Sequence, residues 1–189
     1  MEPKVPKKVF AVGNLSVYAG PWESWREVWE AWPTGSPGYF LALAPEKLFP
    51  KRSRPPGDIW VAEGERLRIP SNWNRAQPLP AVSFNGPENA EGIAINWCDM
   101  KTPPLSRDDW EWIADTLRGL AGNLYVGCRA GLGRTGTALA ILAGLWCLTE
   151  TPIAYVREHY LEEAVETRDQ VEYVARITGF QENVRGSRG

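Results

Sequence analysis

VGCRAGLGRTGT, residues 126–137, is the stretch on which the reading of this chain turns. NLYVGC (123–128) is apolar and β-prone, so a strand delivers Cys128 at its end. A helix is expected from about Thr135, running through the apolar stretch Ala138–Leu148. Between them Gly131, Gly133 and Gly136 let the loop turn its amides inward and pass close to a ligand. Successive N–H groups that end on a helix N-terminus make a cradle for an anion. Arg134, six residues after Cys128, brings a planar guanidinium over that cradle, where it grips two phosphate oxygens at once. The same field favours Cys128 as thiolate, activating a nucleophile without a neighbouring base. The competing reading is a tight strand-to-helix turn around a buried cysteine.

Outward from this loop, Pro and Gly clusters at 33–38, 50–58 and 85–92 mark loops. Short β-prone runs lie at 9–12, 39–44, 58–62, 81–84 and 92–96. Ser106 with Asp109 forms a capping-box pattern, and Trp110, Ile113, Leu117 and Leu120 recur on one helical face behind it. Thr151-Pro152 reads as N-cap and first helical residue. Thr167 with Gln170 is a second capping box, closed by Gly179 at the helix end. Strands followed by helices imply an α/β fold, a central and mostly parallel sheet flanked by helices. In the first half, Trp22, Trp25, Trp29 and Trp32 fall three and four apart between Pro21 and Pro33, the stripe of an amphipathic helix. That stripe packs on the core or walls a substrate pocket.

CRAGLGRTGT resembles the signature loop (P-loop) of the cysteine-dependent protein tyrosine and dual-specificity phosphatases, His-Cys-x5-Arg-Ser/Thr. The resemblance implies a phosphocysteine intermediate on Cys128, with phosphate held by Arg129, Ala130, Gly131, Leu132, Gly133 and Arg134. It also implies that Thr135 assists departure of the thiolate. The short chain is similar to the compact dual-specificity branch. Gly127 departs from the pattern, standing where the family carries its loop-orienting histidine. Such chemistry needs an acid for the leaving oxygen. Trp97-Cys98-Asp99 with Pro103 resembles the family's mobile Trp-Pro-Asp loop, which makes Asp99 the candidate acid; Asp108 and Asp109 suit a helix start better. AVETRDQVEYV (164–174) resembles the segment that places water for hydrolysis of the phosphocysteine, with Glu166 and Gln170 as candidates. A plain helix start explains those two residues equally well. Cys98 reads as a loop residue, with oxidative pairing to Cys128 as the alternative, and Cys147 reads as core.

The 189 residues suit one domain, 1–189, with the catalytic motifs in 92–180 and a first half, 1–90, that resembles no family. A formal net charge of −2 speaks against nucleic acid as the main partner. No apolar run is long enough to cross a bilayer, and nothing marks the N-terminus for secretion. Three cysteines point to a reducing compartment, hence the cytoplasm. One histidine and no Cys-x-x-Cys pair leave no ligand set for a metal, so neither metal nor other cofactor is expected. A phosphorylated protein is the expected partner, phosphotyrosine first. Phosphoinositides, RNA 5′-phosphates, and a pseudophosphatase that binds without turnover remain open alternatives, as does the oligomeric state.

Overall fold

The computed structural model describes residues 7–21, 38–43, 59–63, 66–68, 91–95, 97 and 99–180. The Trp-rich stripe, the run at 81–84 and Cys98 lie outside these residues. Seven strands form one sheet in the order β1-β2-β7-β3-β6-β4-β5. They are β1 (Lys7–Val12), β2 (Leu15–Pro21), β3 (Gly38–Ala42), β4 (Ile59–Glu63), β5 (Arg66–Arg68), β6 (Glu91–Ile95) and β7 (Gly122–Cys128). β2, β7, β3 and β6 run parallel in the middle, while β1 and the β4–β5 pair add antiparallel margins. Strands from both halves of the chain therefore share one sheet.

Four helices follow among the described residues: α1 (Arg107–Arg118), α2 (Gly133–Leu145), α3 (Pro152–His159) and α4 (Arg168–Thr178). α2 is mostly apolar and buried on every side, every residue from Gly133 to Gly144 included, as expected of a helix with no solvent face. α1 is amphipathic, burying Trp110, Ile113, Ala114 and Leu117 against α2 and α4. Both predicted capping boxes are present: Ser106 with Asp109, and Thr167 with Gln170. Gly179 closes α4 in the left-handed conformation, φ 82°. No helix among the described residues is long and apolar enough to cross a membrane.

The structure corrects four local readings. LSVYAGP (15–21) is a strand, with Leu15, Val17 and Ala19 buried and Ser16 and Tyr18 half-buried. Its polar and small residues blur the alternation, and Pro21, read as a helix start, is that strand's last residue. α2 opens at Gly133 rather than Thr135, because the loop amides feed straight into it and Leu132 makes no side-chain cap. Thr151 supplies no side-chain cap to α3; its own N–H instead donates to Thr149 Oγ1 at 3.0 Å. Cys147 is exposed, beyond the end of α2, at φ 56°. Trp146 takes the inward place, donating Nε1–H to Ala114 O at 3.0 Å.

α2 meets the segment before α4 with almost no gap. A Cβ on Gly136 would lie 2.7 Å from both Ala164 Cβ and Val165 N. Val165 sits at φ 63°, a costly conformation for a β-branched residue. It is held there by Arg157, whose Nε and Nη2 donate to Ala164 O and Val165 O at 3.0 and 3.1 Å. Replacing a helical glycine by alanine ordinarily gains roughly 0.5–1 kcal/mol. Here backbone must move, and overpacking costs about 1–3 kcal/mol. Gly136→Ala is therefore expected to destabilise the fold by about 1–2 kcal/mol, read as a lower urea midpoint at unchanged m-value.

Candidate active site

β7 is the central strand of the parallel group, buried from Leu124 to Cys128. It ends with Cys128 paired to Pro21 of β2, one residue beyond a row of small side chains. In that row Gly127 lies between Gly20 of β2 and Ala42 of β3, and Ala42 in turn pairs with Ala94 of β6. Gly127 thus belongs to a level of the sheet built from glycine and alanine. Its carbonyl accepts from Leu43 N–H at 2.8 Å.

Past Cys128 the chain turns through Arg129 and Ala130, both exposed, to Gly131 at φ 73°. A side chain at Gly131 would meet Pro21 N at 2.6 Å and Gly20 C at 2.7 Å, so the loop lies on the end of β2. Glycine is required there on both counts. Gly133, Arg134 and Thr135 then open α2, all three buried. Thr135 Oγ1 accepts the Cys128 N–H at 2.9 Å, tying the helix start to the strand end and leaving the hydroxyl's proton free to donate. Cys128 is 2% exposed.

Arg134 is the buried cation of the site. Its Nη1 donates to Trp97 O at 2.9 Å, and its Nη2 lies 3.2 Å from Asp99 Oδ1. The arginine side chain is 1% exposed and the aspartate 67%. Asp99 therefore sits at the mouth of the loop with one oxygen on the guanidinium and the rest in solvent. Behind it Trp97 is fully buried, donating Nε1–H to Lys101 O at 2.6 Å. Its ring packs edge-on against Trp110 and Tyr173, with centroids 6.1 and 6.3 Å away. Trp110 Nε1–H donates to Tyr173 Oη at 2.7 Å, and that hydroxyl donates onward to Leu105 O at 3.1 Å. Every polar tip in this aromatic block is paired, as burial demands.

The third flank is the turn before α4. Gln170 is fully buried, and its Oε1 accepts from the N–H groups of Glu166 and Thr167 at 2.9 and 3.3 Å. Glu166 is exposed. A Cβ on Gly133 would run into Glu166 Oε2 and lie 3.0 Å from Gln170 Nε2, so both side chains converge on the first residue of α2. The predicted residues Cys128, Arg134, Asp99, Thr135, Glu166 and Gln170 are thus gathered around one loop. The sole histidine stays apart: His159 stacks on Tyr155 at 4.1 Å and donates Nδ1–H to Tyr155 O at 2.9 Å. Tyr160 escaped the sequence reading. Its hydroxyl donates to Gly131 O at 2.5 Å from the turn after α3, and only the fold brings the two together.

The same arrangement of sheet and helices occurs in solved structures. Tk-PTP in its active form matches with a TM-score of 0.52 at 17% identity, covering 95% of this chain and 99% of that one. The Trypanosoma brucei protein tyrosine phosphatase TbPTP1 matches with a TM-score of 0.56 at 12% identity, over 94% of this chain and 74% of that one. This is the protein tyrosine phosphatase fold. No family model matches the sequence. Two uncharacterized proteins of Methanocaldococcus jannaschii do. MJ0215 is 57% identical over 53% of this chain and 78% of its own length, and MJECL20 is 37% identical over 53% and 84%. The chain belongs to one family with them. Within the phosphatase fold, this chain's loop is clamped from three sides, by β2, the Trp97–Asp99 segment and the turn before α4.

Burial pushes the Tyr173 hydroxyl well above its ordinary range, only partly countered by the bond from Trp110. Tyr160 is raised by burial first and by the neighbouring Cys128 charge second. In the unfolded chain both hydroxyls ionise near pH 10, whereas the folded chain retains their protons. The unfolded state therefore binds fewer protons above about pH 10, and stability falls as pH rises further. Tyr173→Phe is expected to cost about 1–3 kcal/mol at neutral pH, because it strands the buried indole N–H. It should also flatten the alkaline loss. Urea midpoints of both proteins between neutral and alkaline pH check the two effects together.

Proposed function

We propose that the protein hydrolyses phosphate monoesters through a phosphocysteine on Cys128, acting on phosphorylated protein, phosphotyrosine first and phosphoserine or phosphothreonine second. The observation that carries this reading is convergence. A nucleophile from β7, a guanidinium from α2 and a carboxylate from the segment after β6 meet at one loop whose next step is a buried helix N-terminus. Phosphate fits that combination by charge and by shape.

A phosphate dianion enters over Gly131–Gly133 and takes the guanidinium of Arg134, freeing Asp99 from it. Cys128 attacks phosphorus as its thiolate and the phosphorus–oxygen bond to the leaving group breaks; Asp99, which takes up a proton from solvent once released from the guanidinium, gives that oxygen its proton. Water then attacks the phosphocysteine, its proton passing to the Asp99 carboxylate. The phosphorus–sulfur bond breaks and the thiolate departs toward the Thr135 hydroxyl. Glu166 and Gln170, over Gly133, position that water. Gln170 Oε1 is committed to two backbone amides, so its Nε2 and the Glu166 carboxylate are the groups that face the water.

Arg129, Met100 and Lys101 form an exposed rim suited to contacts with a protein chain. One arginine on the loop itself is a sparse charge for a phosphoinositide headgroup. A thiolate nucleophile suits a reducing compartment such as the cytoplasm and needs no metal or other cofactor, and the same reading takes 1–189 as one catalytic domain.

Cys128→Ser should abolish hydrolysis of p-nitrophenyl phosphate yet retain phosphate binding, since the cradle and Arg134 remain. Turnover equal to wild type would exclude Cys128 as nucleophile, and binding without turnover in wild type would make the protein a phosphate-binding module. Asp99→Asn should slow phenyl phosphate roughly 10²–10⁴-fold and slow esters of strongly acidic phenols far less. An equal loss across leaving groups would move the acid elsewhere.

A further inference from the structure

Tyr160 stands outside the machinery just described and touches it at one atom. It follows α3, its N–H closing that helix on Val156 O at 2.8 Å, and it is 4% exposed. Its carbonyl accepts from Lys7 Nζ of β1 at 3.1 Å, so the residue is held at its backbone from both ends. From this fixed base the hydroxyl reaches Gly131 O at 2.5 Å, across 29 residues of sequence. Burial first and the neighbouring Cys128 second raise the hydroxyl above its ordinary range, so it is a donor at neutral pH.

Gly131 has nothing of its own to hold that orientation. It has no side chain, sits at φ 73°, and rests on Gly20 and Pro21 on one side only. The described chain contains no cis peptide bond, so the Gly131–Leu132 unit is trans and planar. In such a unit the carbonyl oxygen and the following N–H point in opposite directions. Whatever fixes Gly131 O therefore aims Leu132 N–H. A carbonyl turned into the cradle would present a negative dipole to phosphate in place of a donor.

We infer that Tyr160 is a positioning residue for phosphate: its hydroxyl holds Gly131 O outward and thereby points Leu132 N–H at the bound oxyanion. The inference rests on the oxyanion cradle of the proposed function and not on turnover.

Tyr160→Phe keeps the ring and removes only the hydroxyl. Orthovanadate titrated calorimetrically into the folded full-length variant should bind about tenfold more weakly than to wild type, with kcat reduced. Equal vanadate affinity in the folded variant, with only a lowered urea midpoint, would show a purely structural contact and overturn the inference. If the variant does not fold, amide hydrogen exchange on wild type decides. Vanadate should protect Leu132 N–H, and unchanged exchange there would overturn the inference. Wild type that binds vanadate but hydrolyses no ester would remove the proposed activity and leave Tyr160's role standing. Wild type that binds no vanadate would remove both.

Discussion

A guanidinium buried to 1% exposure is the constraint around which the site is arranged. Taking a full charge out of water costs several kcal/mol unless oxygens replace its hydration. Among the described residues Arg134 meets the Trp97 carbonyl and one oxygen of Asp99. These partners differ in kind. The carbonyl belongs to a residue locked in the core. The carboxylate is mostly in solvent and can leave without unfolding anything. Of these two acceptors one is permanent and one exchangeable, and under the proposed function a phosphate dianion displaces the exchangeable one by its greater charge.

The rest of the fold serves to keep that guanidinium and Cys128 in register. The aromatic block of Trp97, Trp110 and Tyr173 fixes the Trp97 carbonyl through paired indole and phenol groups. The end of β2 supports the loop from one side and Tyr160 from another. Gly136 lets the turn before α4 approach α2, which brings Glu166 and Gln170 to the loop. Each support comes from a different stretch of chain, so the loop's geometry is a property of the assembled fold rather than of its own glycines.

The second half of the chain was largely legible before the structure. α1 and α4 announce themselves by capping boxes and 3.6-residue stripes, local signals that packing does not override. The Cys128–Arg134 spacing is likewise legible, because one short loop joins the strand end that carries Cys128 to the helix start that carries Arg134. The edges of the prediction failed where information is non-local. LSVYAGP carries too weak an alternation to declare a strand, and becomes one because β7 offers it a full parallel ladder. Cys147 looked like core because it lies in an apolar run. The chain turns after Leu145 to bury Trp146 instead, which leaves the thiol outside. Tyr160 and the small-residue row Gly20–Gly127–Ala42 carry no sequence signature, since each exists only across strands or between distant segments. Gly127 in particular reads as a missing histidine in the sequence and as a close-packed level of sheet in the fold.

The central claim is covalent: the phosphoryl group passes through Cys128. Rapid acid quench of wild-type protein during turnover of p-nitrophenyl phosphate, followed by peptide mass analysis, tests it directly. The account predicts one phosphoryl group on the peptide containing Cys128, formed as fast as the first equivalent of nitrophenol is released. It also predicts that Glu166→Ala increases the amount trapped. Nitrophenol release in the steady state with no adduct on Cys128 at any quench time, or with the adduct on another residue, would contradict it.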